Sequence, residues 1–239
     1  MSTTPLTSAP RGKTLSGHAL SQLKELLLSG QVMPGQLLSL RTTAEAMGIS
    51  VMPVREAVAQ LVGEQALEVT PNRSVRVPIL SAEQYTEVTN IRLELEGYAV
   101  QQAALIAPTS LIARLRKLNA RLAREMEATN PDSAAVVMLN KALHFQVYEN
   151  ANMPLLLRMI ESLWLRIGPI LNYDIHAGSE RTVKKTAYEH HIRLIDALES
   201  RDAEAARAAL QSDIKSAYQH ILEKQYAQDG EARRAGHGS

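Results

Sequence analysis

Ala46-Met47-Gly48-Ile49-Ser50-Val51-Met52-Pro53-Val54-Arg55-Glu56-Ala57 is the stretch that decides the fold of this 239-residue chain. Gly48 can take the left-handed conformation that ends a helix. Ser50 is a residue type that starts one, and Pro53 is tolerated in a first turn, where the amides lack intrahelical partners. Val54, Ala57, Val58, Leu61 and Val62 then recur at three and four and lay one apolar stripe along the new helix. Upstream, a short helix is expected over about Thr42 to Met47. Before it, Leu20, Leu23 and Leu27 predict a helix from Leu15 to Leu28, stopped by Gly30 and followed by the turn Met33-Pro34-Gly35. Downstream, Leu67 to Thr70 and Val75 to Val77 read as two short strands around the turn Pro71-Asn72-Arg73-Ser74.

Three helices and a hairpin in that order predict a winged helix-turn-helix over residues 13–78. From about Ser81 to Gln225 the pattern is helical. Stripes run through Val88, Leu95 and Ala99, through Leu111, Leu115, Leu118 and Leu122, through Val136, Leu143 and Val147, and onward to Leu210 and Ala217. The punctuation Asn130-Pro131-Asp132, Asn152-Met153-Pro154 and Ala177-Gly178-Ser179 divides them, so a bundle of six or seven helices is expected over 81–226. Residues 1–12 and 227–239 have no apolar period and read as disordered tails. The fold class is therefore mainly α, a small DNA-binding-type domain followed by an all-α bundle.

Composition narrows the function. Hydrophobic residues make up 45% of the chain but aromatics only 4%, so the cores must be aliphatic. With no cysteine, a disulfide framework, a thiolate metal site and a thiol nucleophile are all excluded, and a reducing cytoplasm suits the chain. No run of about 18 apolar residues exists to span a membrane. A net charge of only +1 does not announce a polyanion binder, so the case rests on where the charges sit.

A short helix, a glycine turn and a second helix let that second helix enter a major groove. Ser50 and Arg55 fall at its start, away from the stripe, and Arg41 sits on the preceding turn. A serine can bond a phosphate; an arginine can grip a phosphate or a guanine edge with two bonds. Asn72 and Arg73, at the hairpin tip, are placed to reach the backbone or the minor groove. A single surface arginine usually does nothing specific; the arrangement carries the signal. In the helical half, polar groups occupy apolar stripes: Arg92 with Glu96 one turn on, Asn140 and His144, His191, and Asp213. Each alone has a plain explanation as a hydrogen-bonded core residue or an intrahelical pair, and His190 and His220 are rivals. Together, two imidazoles with a carboxylate and an amide suit one divalent ion such as Zn, Ni or Mn, and an arginine in the same cavity suits a carboxylate ligand.

The first half, from Gln31-Val32-Met33-Pro34-Gly35 through the Gly48-Ile49-Ser50 turn to Pro53-Val54-Arg55-Glu56-Ala57, resembles the GntR family of regulators. The second half is similar to the FCD ligand-binding domain of the FadR subfamily. It carries Ile91-Arg92 with Glu94 and Glu96, Asn140 to His144, Glu149-Asn150-Ala151-Asn152, Tyr188 to Leu198 and Asp202 to Asp213. The resemblance implies a DNA interface of Arg41, Ser50, Val51, Met52, Arg55, Asn72 and Arg73, a metal set of Asn140, His144, His191 and Asp213, and a small carboxylate held by the metal and Arg92. Several positions depart from the family. Val51 and Met52 stand where it usually has a basic and a hydroxyl residue, Ser74 where the wing usually has glycine, and Asp213 where it has a third histidine. The expected function is a cytoplasmic homodimeric regulator, a repressor of a palindromic DNA operator that responds to a small organic acid and has no catalytic residues. Two alternatives stand beside it: a ligand-independent DNA-binding protein whose helical half only dimerises, and an all-helical metalloenzyme. The paired Glu-x-x-His motif usual for bundle di-metal enzymes does not occur at the candidate positions.

Overall fold

The computed structural model describes residues 14–29, 31–176 and 186–226. The two tails, Gly30 and the turn at Ala177-Gly178-Ser179 lie outside them. The first helix, α1 (Leu15–Leu28), starts at Thr14, whose hydroxyl accepts from the Gly17 amide. Then follow β1 (Leu37–Leu38), α2 (Leu40–Met47) and α3 (Val51–Gly63). Strands β2 (Glu68–Val69) and β3 (Val75–Arg76) form the hairpin. β3 lies in the middle of a three-stranded antiparallel sheet, with Arg76 opposite both Leu37 and Glu68. An ion pair between Arg76 and Glu68 crosses the hairpin. The strand β1 was not expected; two residues are too few to show alternation.

The turn between α2 and α3 forms as its residues dictate. Gly48 sits at φ 66°, ψ 28°, and the Ile49 amide reaches back to the Ala44 carbonyl at 3.1 Å, closing the end of α2. The expected stripe of α3 faces inward: Val54, Ala57, Val58 and Leu61 are buried and share a core with Ala19, Leu23 and Leu27 of α1. Val62 is only half-buried beside them.

Six helices follow among the described residues: α4 (Ala82–Ile106), α5 (Thr109–Glu127), α6 (Ser133–Asn150), α7 (Pro154–His176), α8 (Thr186–Glu199) and α9 (Ala203–Ile221). A π-helical turn over Leu222–Tyr226 extends α9. Helix α4 opens with a reciprocal capping box between Ser81 and Gln84. Asp132 and Asp202 cap α6 and α9 through their carboxylates. Helix α4 packs against α6, α7 and α9, and α9 also packs on α8. The two halves meet where α1 crosses α7. A Cβ on Gly168 would lie 3.2 Å from Leu28 Cδ2, and Asn172 Nδ2 donates to the Leu27 carbonyl at 3.4 Å. No described helix is long and apolar enough to cross a membrane.

The turn supplies a test of backbone geometry alone. Nothing lies within 4 Å of a Cβ added at Gly48, so Gly48→Ala adds no clash and only forces a side chain into the left-handed region. Chemical denaturation is expected to show a loss of about 1 kcal/mol; an unchanged midpoint would mean that the turn relaxes freely.

Candidate functional site

Two sets of side chains stand out, one on the surface of the first half and one inside the second. On the surface, Ser50 takes the N-cap conformation of α3 but its hydroxyl makes no capping bond, and no acidic residue lies in the first turn. The first amides of α3 and the Ser50 hydroxyl are thus placed to receive an anion. Arg55 is exposed one turn on. Met52 is 56% exposed, whereas Val51 is half-buried and packs on the core. Of these two neighbours, then, Met52 is the one that presents its side chain fully to the outside. Arg41 is exposed and paired with Glu45 at 3.0 Å. At the hairpin tip Pro71, Asn72 and Arg73 are all exposed, and Asn72 accepts from the Thr70 hydroxyl. The residue with positive φ in this turn is Arg73, at 63°, and not Ser74, the position where glycine was expected.

Inside the second half, α4, α6, α8 and α9 each send polar groups to one point. His144 of α6, His191 of α8 and Asp213 of α9 are all buried. The two imidazole Nε2 atoms lie 3.2 Å apart, and Asp213 Oδ2 is 3.3 Å from His144 Nε2 and 4.0 Å from His191 Nε2. The surrounding hydrogen bonds fix the tautomers. Burial, with the Glu96 carboxylate beside it, pushes the Tyr148 phenol well above its ordinary pKa, so it keeps its proton. The phenol O–H donates a hydrogen bond to Glu96 Oε2, at 2.5 Å. Tyr148 can then only accept at 3.2 Å from His144, whose Nδ1 must carry the hydrogen. Asn119 Nδ2 donates to the Tyr188 carbonyl, which turns its Oδ1 toward His191 Nδ1 at 3.1 Å and makes that nitrogen a donor too. In the neutral rings both Nε2 atoms are therefore lone pairs, and they converge with a carboxylate oxygen. Such a trio calls for a cation.

Its spacing suits a metal. Bonds of about 2.1 Å at tetrahedral angles put donor atoms about 3.4 Å apart, within the range seen here. Asn140, one turn before His144, and Arg92 line the same cavity of about 60 Å³, together with Trp164 and a largely aliphatic wall that includes Leu122 and Met126. Arg92 is buried and bonds Glu96 through Nε at 2.5 Å. Burial opposes its charge, but the adjacent Glu96 outweighs that and raises its pKa. Its guanidinium also lies 5.1 Å from the Trp164 ring. The Trp164 indole N–H is buried with no hydrogen-bond partner among the described residues. Of the rival histidines, His220 pairs with Asp174 at 3.2 Å, and His190 is not in the cluster.

The sequence reading did not pick out Tyr148, Asn119 or Trp164. Tyr148 follows His144 by four residues on the same helix, and Asn119 follows Leu115 by four, so both spacings were there to be read. Neither residue type is unusual enough to be singled out without coordinates.

Residues 87–216 match the FCD domain, and residues 15–77 match the gntR family of bacterial regulatory proteins. The chain is 33% identical to the HTH-type transcriptional regulator McbR of Escherichia coli (strain K12), over 93% of this chain and 99% of that protein. It is 24% identical to the uncharacterized HTH-type transcriptional regulator YdhC of Bacillus subtilis (strain 168), over 84% of this chain and 88% of that one. Among solved structures, that of E. coli McbR/YncC superposes with a TM-score of 0.80 at 31% identity, covering 88% of this chain and 98% of that one. A GntR protein from Rhodococcus sp. RHA1, described as a putative transcriptional regulator, superposes with a TM-score of 0.70 at 23% identity, over 87% and 98% of the two chains, and shares the fold.

The buried pair gives a direct test. Glu96→Ala leaves the Arg92 guanidinium buried without its bonded carboxylate, and urea denaturation is expected to show a loss of about 3–5 kcal/mol. A loss below about 1 kcal/mol would mean that Arg92 finds another partner or reaches water.

Proposed function

The chain belongs to the gntR family of bacterial regulatory proteins, with an FCD domain after its winged helix-turn-helix, and from that premise we propose a cytoplasmic, homodimeric repressor that releases its DNA operator when a small organic acid enters the helical half. That it is a transcription regulator and not an enzyme follows from the family and from relatives that are themselves transcription regulators; the metalloenzyme alternative falls with it. The acid, the metal, the dimer and the sign of the response are the proposed part.

The observation that carries the sensor reading is the convergence of the buried His144, His191 and Asp213, with His144 and Asp213 lining one cavity together with Arg92. A half that only dimerised would have little reason to bury so many ionisable groups, each of which is costly away from water. A divalent ion (Zn, Ni or Mn) would be held by His144 Nε2, His191 Nε2 and Asp213, with Asn140 lining the same space, and when bound it supplies a Lewis-acid anchor for a carboxylate. Arg92 supplies the second positive group, and Trp164 an N–H for a further acceptor atom. Dimerisation is supported by Ile91, Tyr98 and Leu105, exposed at seven-residue spacing along α4, two helical turns apart each time. A two-fold protein matches a palindromic operator.

Helix α7 gives the response a route. Its Trp164, Leu171 and Ile175 border the cavity, while its Gly168 and Asn172 touch the end of α1 in the DNA-binding half. A ligand that fits only one placement of α7 shifts the population of operator-competent dimers.

Two outcomes are expected. Arg55→Ala weakens operator binding by about 1–3 kcal/mol in a gel-shift titration if Arg55 grips a base, and unchanged affinity removes it from the interface. Elemental analysis finds one divalent ion per subunit in the parent protein and none in His144→Ala or His191→Ala; a metal-free parent, purified without chelators, would sink the metal part and leave the DNA part standing.

A further inference from the structure

Single exposed apolar residues are ordinary on protein surfaces. Met52 differs in its company. It is the second residue of α3, 56% exposed, next to a Ser50 hydroxyl that makes no capping bond and one turn from the exposed Arg55. Residues three apart share a helix face, so Met52 and Arg55 point the same way. The first turn of α3 bears no acidic side chain, so the field at this end of the helix is positive. Its neighbour Val51 turns inward onto the core. A long thioether chain thus stands uncovered between the Ser50 hydroxyl and Arg55, with the exposed Glu56 one turn on taken up by a bond from the Ser16 hydroxyl.

We propose that Met52 reads a base: packed between the Ser50 and Arg55 contacts, its side chain covers the 5-methyl group of a thymine in the major groove of each operator half-site. This rests on the DNA-binding reading above. Methionine has no donor and only a weak sulfur acceptor, so it cannot match the hydrogen-bonding edge of a guanine, adenine or cytosine. The thymine methyl is the apolar feature that the major groove displays. Met52 therefore contributes selectivity without a hydrogen bond. The unbranched, adaptable chain lets it follow the methyl as the helix settles between the phosphates.

Replacing thymine by uracil removes the methyl and nothing else. The test takes a duplex recovered by selection from a random-sequence library with the full-length protein and exchanges each thymine for uracil in turn. Binding is measured by fluorescence anisotropy for the parent and for Met52→Ala. Thermal melting confirms that the variant is folded, since an exposed side chain contributes little to the core. One thymine per half-site is expected to weaken parent binding about fourfold when replaced, the worth of one buried methyl, and to have no effect on the variant. A scan that is flat for the parent overturns the assignment while leaving the DNA reading intact. So does a sensitive thymine that stays sensitive in Met52→Ala, because another side chain then covers the methyl. Failure of the parent to select any duplex overturns both.

Discussion

The phenol of Tyr148 has one hydrogen bond to donate, and Glu96 accepts it. From that bond the interior of the helical half follows. His144 must donate to Tyr148 from Nδ1, so its Nε2 faces inward bare. Asn119, held by the Tyr188 carbonyl, imposes the same tautomer on His191. Glu96 also neutralises Arg92, a charge that is otherwise too costly to bury in this position. The structural network and the candidate ligand site are one set of hydrogen bonds. The partners that orient the imidazoles are as necessary to it as the imidazoles themselves.

The DNA-binding half uses the opposite strategy. Its polar groups lie outside, spaced by a short turn that only Gly48 makes without strain, and its core is wholly aliphatic. What joins the two is α7, which borders the cavity on one side and approaches α1 so closely on the other that Gly168 has little room for a side chain. Pro169 lies next to that contact and leaves the helix one backbone hydrogen bond short. The helix is thus weakened at its crossing point, beside the cavity that Trp164, Leu171 and Ile175 border.

Much of this was legible in the residues. The α3 stripe, Gly48 at its left-handed position and Pro53 in the first turn settle the turn, while Ser50 takes the N-cap conformation without the side-chain capping bond its residue type suggests. His144, His191, Asp213 and Arg92 were legible as polar residues on apolar stripes, and all four are buried. Their convergence was not, because it depends on how α4, α6, α8 and α9 cross, which periodicity does not encode. Tyr148 and Asn119 were missed for the same reason, since each becomes special only through a partner on another helix. Val51 and Met52 looked alike as neighbours. One residue of helical rotation, about 100°, turns the first toward the core and leaves the second outside.

The tautomers of His144 and His191 test the central claim most directly. Nitrogen NMR of the full-length protein with labelled histidines, recorded as zinc is added, is expected to show Nδ1 protonated in both rings and Nε2 as the nitrogen whose shift responds in both. A response at Nδ1, or no response at either ring, would contradict the arrangement from which the sensor reading is built.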